Sequence, residues 1–178
     1  LTCKTAASST YGWSLSSELK ELPSGLQTLI LNTHYLRTSQ FYALPHSLKT
    51  LRVVSIIIDT DATSTVPKTT LLPYLTHFEF DSLRDNTGTD LSPVLAQLSS
   101  LRSLMIGKFC EHPPTSHDIF FPEPKVDTIA ASVVDLRLCF DAFYPPLGAS
   151  KLSQLPQNLQ KLTIDSAVDV LAKDLRVL

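Results

Sequence analysis

The stretch Leu155-Pro156-Gln157-Asn158-Leu159-Gln160-Lys161-Leu162-Thr163-Ile164 decides the fold, because close copies of it stand elsewhere in the chain. Leu22-Pro23-Ser24-Gly25-Leu26-Gln27-Thr28-Leu29-Ile30-Leu31 and Leu44-Pro45-His46-Ser47-Leu48-Lys49-Thr50-Leu51-Arg52-Val53 match it almost position for position. Self-similarity of this kind marks a repeat architecture. Inside each copy, L-x-x-L-x-L sends three apolar residues one way and the residues between them the other, the period-2 signature of a short strand with a lead-in.

Six triplets follow the pattern: Leu26/Leu29/Leu31, Leu48/Leu51/Val53, Leu75/Phe78/Phe80, Leu101/Leu104/Ile106, Val133/Leu136/Leu138 and Leu159/Leu162/Ile164. Their first members are 22, 27, 26, 32 and 26 residues apart. Between the strands the chain returns. Asp90-Leu91-Ser92-Pro93 supplies an acceptor side chain and a first-turn proline, both suited to a helix start, and Leu91, Val94, Leu95 and Leu98 then form one apolar face. Val126, Ile129, Ala130 and Val133 repeat that spacing after Pro122-Glu123-Pro124, so a second helix is expected there. Residues 14–21 and 38–44 are weaker helical segments, and residues 67–72 read as a turn or a 3₁₀ piece. Proline in the L-P-x-x-L units ends each returning segment, since it disfavours helix in the residue before it and fixes φ at the turn.

The ends also carry parts of the pattern. Leu1-Thr2-Cys3 fits the last half of a strand unit, 28 residues before Leu29 and Leu31. Residues 171–178 fit either the first half of another unit or, through Val168, Leu171, Ala172 and Leu175, one face of a helix. A stack of repeats needs polar capping units, and neither end shows one, so the expectation is a fragment of a longer chain.

Composition narrows the function. The chain has 178 residues, 43% hydrophobic and 18% charged, the balance of an ordinary folded domain. A formal charge of -2 with scattered Lys and Arg gives no electrostatic footprint for a phosphate backbone, which argues against nucleic acid. The longest apolar stretch, residues 53–58, is broken by Ser55 and is strand-sized, so membrane insertion is not expected. Cys3, Cys110 and Cys139 cannot all pair and form no CxxC, which leans toward a reducing, cytoplasmic setting. Asn32, Asn86 and Asn158 are followed two places on by His34, Gly88 and Gln160, so no glycosylation sequon is present.

The L-P-x-x-L-x-x-L-x-L units resemble leucine-rich repeats and cover most of the chain. The resemblance implies an α/β solenoid of about six repeats in one domain, with a parallel sheet on the concave side and helices or turns on the convex side. Many such repeats carry Asn or Cys three places after the last strand leucine. Here those places hold His34, Ile56, Leu83, Phe109, Asp141 and Ala167, so that ladder is missing and an evenly curved horseshoe is not implied. Irregular repeats of this style are similar to those of fungal and protist proteins, including receptors with an F-box elsewhere in the chain; no F-box is present in these residues.

In a stack of parallel strands, the residues between the leucines form columns on the open face. The central column reads Ile30, Arg52, Glu79, Met105, Arg137 and Thr163. Thr28, Thr50, His77, Ser103, Asp135 and Lys161 flank it on one side, and Asn32, Val54, Asp81, Gly107, Cys139 and Asp165 on the other. Arg52, Glu79, Met105 and Arg137 lead the candidate contacts, since Arg and Met are enriched in interfaces, and His77, Asp135, Asp81 and Lys161 complete the set. Charges of both signs suit a protein partner better than an anionic polymer. The same alternation would also arise on any solvated strand face.

Chemistry finds little purchase. Cys110, His112, His117 and Asp118 group in the insert between the fourth and fifth triplets, but not at a standard zinc spacing, so no metal or other cofactor is assigned. His77 with Asp135 or Asp81 on the same face evokes a base and its orienter, and paired carboxylates such as Glu79 and Asp81 evoke a glycosidase pair. No G-x-S-x-G, P-loop or G-x-G-x-x-G is present, and no catalytic residue is assigned. The sequence reading is therefore a non-catalytic protein-binding scaffold. Its rivals are the substrate-recognition part of an F-box-type ubiquitin ligase receptor, a cell-surface recognition domain, and a hydrolase of the parallel β-helix kind. Oligomeric state is left open.

Overall fold

The computed structural model describes residues 2–5, 18–57, 71–84, 92–107, 129–140 and 155–166. Seven strands lie in it: β1 (Thr2–Thr5), β2 (Thr28–Arg37), β3 (Thr50–Ile57), β4 (His77–Arg84), β5 (Ser103–Ile106), β6 (Asp135–Phe140) and β7 (Lys161–Ser166). All pair in parallel, and their order in the sheet is their order in the chain. The arrangement is α/β-like, mostly parallel sheet with few helices, and the sheet is open.

Each strand from β2 onward is reached by the same turn. The N–H groups of Leu26, Leu48, Leu75, Leu101, Val133 and Leu159 donate to the carbonyls of Pro23, Pro45, Leu72, Leu98, Ala130 and Pro156, at 3.0–3.1 Å. This is the hydrogen bond of a β-turn closing on the first apolar residue of the triplet. Pro23, Pro45 and Pro156 are the first residue of their turns and supply the accepting carbonyl, while Pro73 takes the first inner position, which suits it because its φ is already set. One residue after the turn, a single carbonyl accepts two N–H groups of the following unit. Gln27 takes Lys49 and Thr50, Lys49 takes Thr76 and His77, Thr76 takes Arg102 and Ser103, Arg102 takes Val134 and Asp135, and Val134 takes Gln160 and Lys161, all at 2.8–3.0 Å.

A polar side-chain ladder reinforces these turns. Ser47 Oγ donates to the Ser24 carbonyl and Ser100 Oγ to the Pro73 carbonyl, both at 2.6 Å, and Asn158 Nδ2 to the Ala131 carbonyl at 3.4 Å. Each donor occupies the fourth place of its L-P-x-x-L unit and reaches the third place of the unit before. The expected asparagine position after the strand plays no such part at Ile56, which is fully buried.

The core is the row of triplets. Leu26, Leu29, Leu48, Leu51, Val53, Leu75, Leu101, Val133, Leu136 and Leu138 have no exposed surface, and Phe78, Phe80 and Leu104 almost none. Phe78 meets Phe41 edge to face at 5.8 Å and Phe80 at 5.3 Å, both within the range of favourable ring pairs. Phe41 lies in the 3₁₀ helix Thr38–Ala43, where helical character was expected. A shorter 3₁₀ helix, Glu18–Glu21, falls at the described end of the 14–21 segment.

Three expectations need correction or trimming. Ser92–Gln97 is the α-helix α1, as the 90–98 pattern predicted, but Val133 of the second predicted helix closes the turn into β6 and residues 129–132 form that turn; residues 126–128 lie outside the described residues. In the N-terminal unit Cys3 stands opposite Leu29 and Thr5 opposite Leu31, two residues later than the Leu1/Cys3 alignment. A slip of two keeps strand parity, so the pattern located the strand but not its register. Residues 67–70 of the expected 67–72 turn, the segment 171–178 and the Cys110/His112/His117 insert lie outside the described residues. Among the described residues no helix is long and apolar enough to cross a membrane.

Leu104 and Leu136 are 1% and 0% exposed, so Leu104→Ala or Leu136→Ala should each cost about 2–5 kcal/mol in chemical denaturation. Leu162, half-buried at the equivalent place on β7, should cost clearly less as alanine. A loss under about 0.5 kcal/mol at Leu104 or Leu136, the range of surface changes, would remove them from the core.

Candidate binding surface

The constant turn before each strand aligns the residues between the leucines. Ile30, Arg52, Glu79, Met105, Arg137 and Thr163 are successive register partners across β2–β7, as are Thr28, Thr50, His77, Ser103, Asp135 and Lys161. The eight candidate residues therefore share one face of the sheet, in two complete columns and a third that holds Asp81.

Ion pairs join neighbouring strands on this face. Arg52 Nε lies 3.1 Å from Glu79 Oε1, directly opposite in register. Lys161 Nζ lies 3.5 Å from Asp135 Oδ2, also directly opposite. Arg137 instead reaches diagonally to Asp165, where Nε and Nη2 donate to the same carboxylate oxygen at 2.8 and 2.5 Å. These pairs are largely solvated, so they order the surface and add little to stability.

Asp165 was in the third column of the sequence reading but not among the candidate contacts. Its signal was its place one strand over and two residues beyond Arg137's partner Thr163. Its pKa is pulled down, first by the Arg137 hydrogen bonds. Arg137 is correspondingly raised by the Asp165 hydrogen bond and charge. The same carboxylate accepts from Cys139 Sγ at 3.6 Å. Cys139, assigned to the open face, is only 6% exposed, and burial followed by the Asp165 charge pushes its thiol up. It is thus a protonated donor rather than a nucleophile at neutral pH.

The centre of the face differs from both flanks. On β5 it presents Ser103 and Met105, both half-buried, and ends in Gly107. A Cβ on Gly107 would fall 1.9 Å from the Asp81 Cα, so only glycine fits beside that backbone. Burial pushes the Asp81 pKa up, against the lowering effect of the Arg52 charge.

The sequence-level pairing of His77 with Asp135 is not formed: β5 lies between them, and Asp135 is held by Lys161. His77 Nδ1 instead lies 2.8 Å from Thr76 Oγ1, and the same hydroxyl lies 3.1 Å from the Lys49 carbonyl. Among the described residues no three His, Cys, Asp or Glu side chains gather as metal ligands would. Comparison with protein-family models, with curated proteins and with solved structures found no match.

The Asp165 carboxyl should titrate below the ordinary 3.8, and Arg137→Gln should move it back toward that value in a carboxyl NMR titration. Because the folded pKa lies below the unfolded one, the Asp165 contribution to stability is present above the unfolded value and lost as pH falls through the folded value. An unchanged Asp165 titration in Arg137→Gln would mean that the guanidinium does not set it.

Proposed function

We propose that the chain is a leucine-rich-repeat solenoid and that the open face of its sheet is a non-catalytic binding surface for another protein. Support for the architecture comes from the six in-register triplets and the turn that recurs before each. One described unit cannot bury its own apolar edge, and each relies on its neighbours, which is the energetic logic of a repeat stack.

The observation that carries the binding reading is the composition of the aligned columns. Arg52–Glu79 stands on one flank and Arg137–Asp165 with Lys161–Asp135 on the other, with Met105 and Ser103 between them. A neutral centre holding a flexible thioether, rimmed by ordered charges of both signs, matches the usual division of a protein interface into a less polar core and a charged rim. Glu79, Asp81, Asp135 and Asp165 on the same face disfavour a polyanion.

In this reading Met105 is the central contact, Arg52, Glu79, Arg137 and Lys161 set orientation, and Asp81, His77 and Asp135 lie at the margin. Pull-down from a native extract should lose its partners when Arg52, Glu79 and Arg137 are reversed in charge together while thermal unfolding stays within a few degrees of the parent. Partners retained at full strength would overturn the open-face site.

A further inference from the structure

A second feature lies off the open face, along the edge where β3, β4 and β5 begin. Tyr74 is 64% exposed and is the one large hydrophobic side chain displayed in this way among the described residues. It stands at the fourth place of the turn Leu71-Leu72-Pro73-Tyr74-Leu75. Ser47 and Ser100 fill that place in the neighbouring turns and turn back to bond the preceding unit. A tyrosine cannot follow them, so it points out.

The turn that holds Tyr74 is also fixed with unusual care. Leu72 has φ 44°, the one positive φ among the described non-glycine residues, and it is fully buried. A left-handed leucine is disfavoured by contact of its Cβ with the following carbonyl, so the surrounding packing must hold it there. Pro73 stiffens the next position, the Ser100 hydroxyl binds its carbonyl at 2.6 Å, and the Leu75 N–H closes the turn on Leu72 at 3.0 Å. The tyrosine is thus presented on a backbone with little freedom left to lose on binding.

Cations flank it. Lys49 and Arg102 are the lead-in residues of β3 and β5, one strand to either side, which the spacing of strands places about 10 Å apart. Both are exposed, and no ion pair among the described residues includes either. His46, in the turn before β3, and His77, first residue of β4, are exposed on the same edge. The acidic groups nearest in register are already engaged, Glu79 by Arg52 and Asp135 by Lys161. Among the described residues the edge is therefore positive while the adjoining face is nearly neutral.

We propose that this edge, with Tyr74 as anchor and Lys49 and Arg102 as flanking cations, docks an acidic segment of a protein partner. Tyrosine and arginine are the residues in which binding energy concentrates, and a rigidly presented aromatic between two cations fits a carboxylate-rich segment bearing an apolar side chain. Two lysine or arginine charges are too few for a nucleic-acid backbone. The inference goes beyond the open-face reading and does not require it.

The test is fluorescence anisotropy with a labelled decapeptide of Glu and Asp carrying one central Phe, against its Gln and Asn counterpart and against a labelled single-stranded oligothymidine. The acidic peptide should bind, more weakly as salt rises, and Tyr74→Ala or Lys49→Glu with Arg102→Glu should each weaken it about tenfold or more. Lys20→Glu, a reversal of an exposed charge before the β2 unit and so outside the β3–β5 units that carry this edge, should leave affinity within about twofold, and thermal unfolding of all variants should match the parent because the replaced side chains are exposed. No binding of the acidic peptide, equal binding of the neutral peptide, tighter binding of the oligothymidine, or an equal loss in Lys20→Glu would each overturn the proposal.

Discussion

One carbonyl in each unit, at Gln27, Lys49, Thr76, Arg102 and Val134, receives two N–H groups from the next unit. This shared acceptor is the constraint on which the rest of the sheet depends. A parallel ladder shifted by one residue would turn every apolar side chain to the wrong face. Placing two donors on one oxygen immediately before the strand leaves no freedom for such a shift. The turn behind it, closed on the first apolar residue each time, brings the chain to that oxygen in the same orientation. The variable lengths of the returning segments can then be absorbed without disturbing the strands.

The apolar triplets depend on this alignment in turn. Leu29, Leu51, Phe78, Leu104, Leu136 and Leu162 are register partners, so each covers the next across the strand spacing. Full burial holds from β2 to β6 and weakens on β7, where Leu159, Leu162 and Ile164 are only partly covered. Nothing in the type of those three residues differs from their counterparts. Among the described strands β7 pairs with β6 alone, and a stack distributes stability by shared interfaces rather than by self-sufficient units.

The strands were legible because a period-2 triplet after a fixed turn is a local signal, and the columns followed because the turn has constant length. The pairing partners on the face were not legible to the same degree. Arg52–Glu79 and Asp135–Lys161 are direct register neighbours, but Arg137 passes over the uncharged Thr163 to reach Asp165, whose carboxylate also accepts from the Cys139 thiol. β2 holds a similar lesson: Leu31 pairs with Val53 and Tyr35 with Ser55, so the strand carries extra residues at an irregularity that no alternation in Asn32-Thr33-His34 announces. The serine ladder was visible in the sequence at Ser47 and Ser100. Nothing local distinguishes those serines from ordinary turn residues, and this chain satisfies these carbonyls before the strand rather than after it.

That relocation has a consequence for where the surface chemistry can go. A ladder after the strand would spend polar side chains at the far edge of the sheet; one before the strand spends Ser47, Ser100 and Asn158 on the turn edge and leaves the lead-in residues outside it. Lys49 and Arg102 occupy those positions with only their backbone engaged, each carbonyl holding two N–H groups of the next unit. Their side chains therefore stand on backbone fixed by two hydrogen bonds while making no ion pair among the described residues. Tyr74 is the one turn residue that breaks the serine pattern, and it does so where Leu72 bears the strain. The two departures from the repeat fall in one turn, between the two lead-in cations, so the edge differs from the open face in origin as well as charge. The face displays what strand alternation leaves over, whereas the edge displays what the turn has been bent to present.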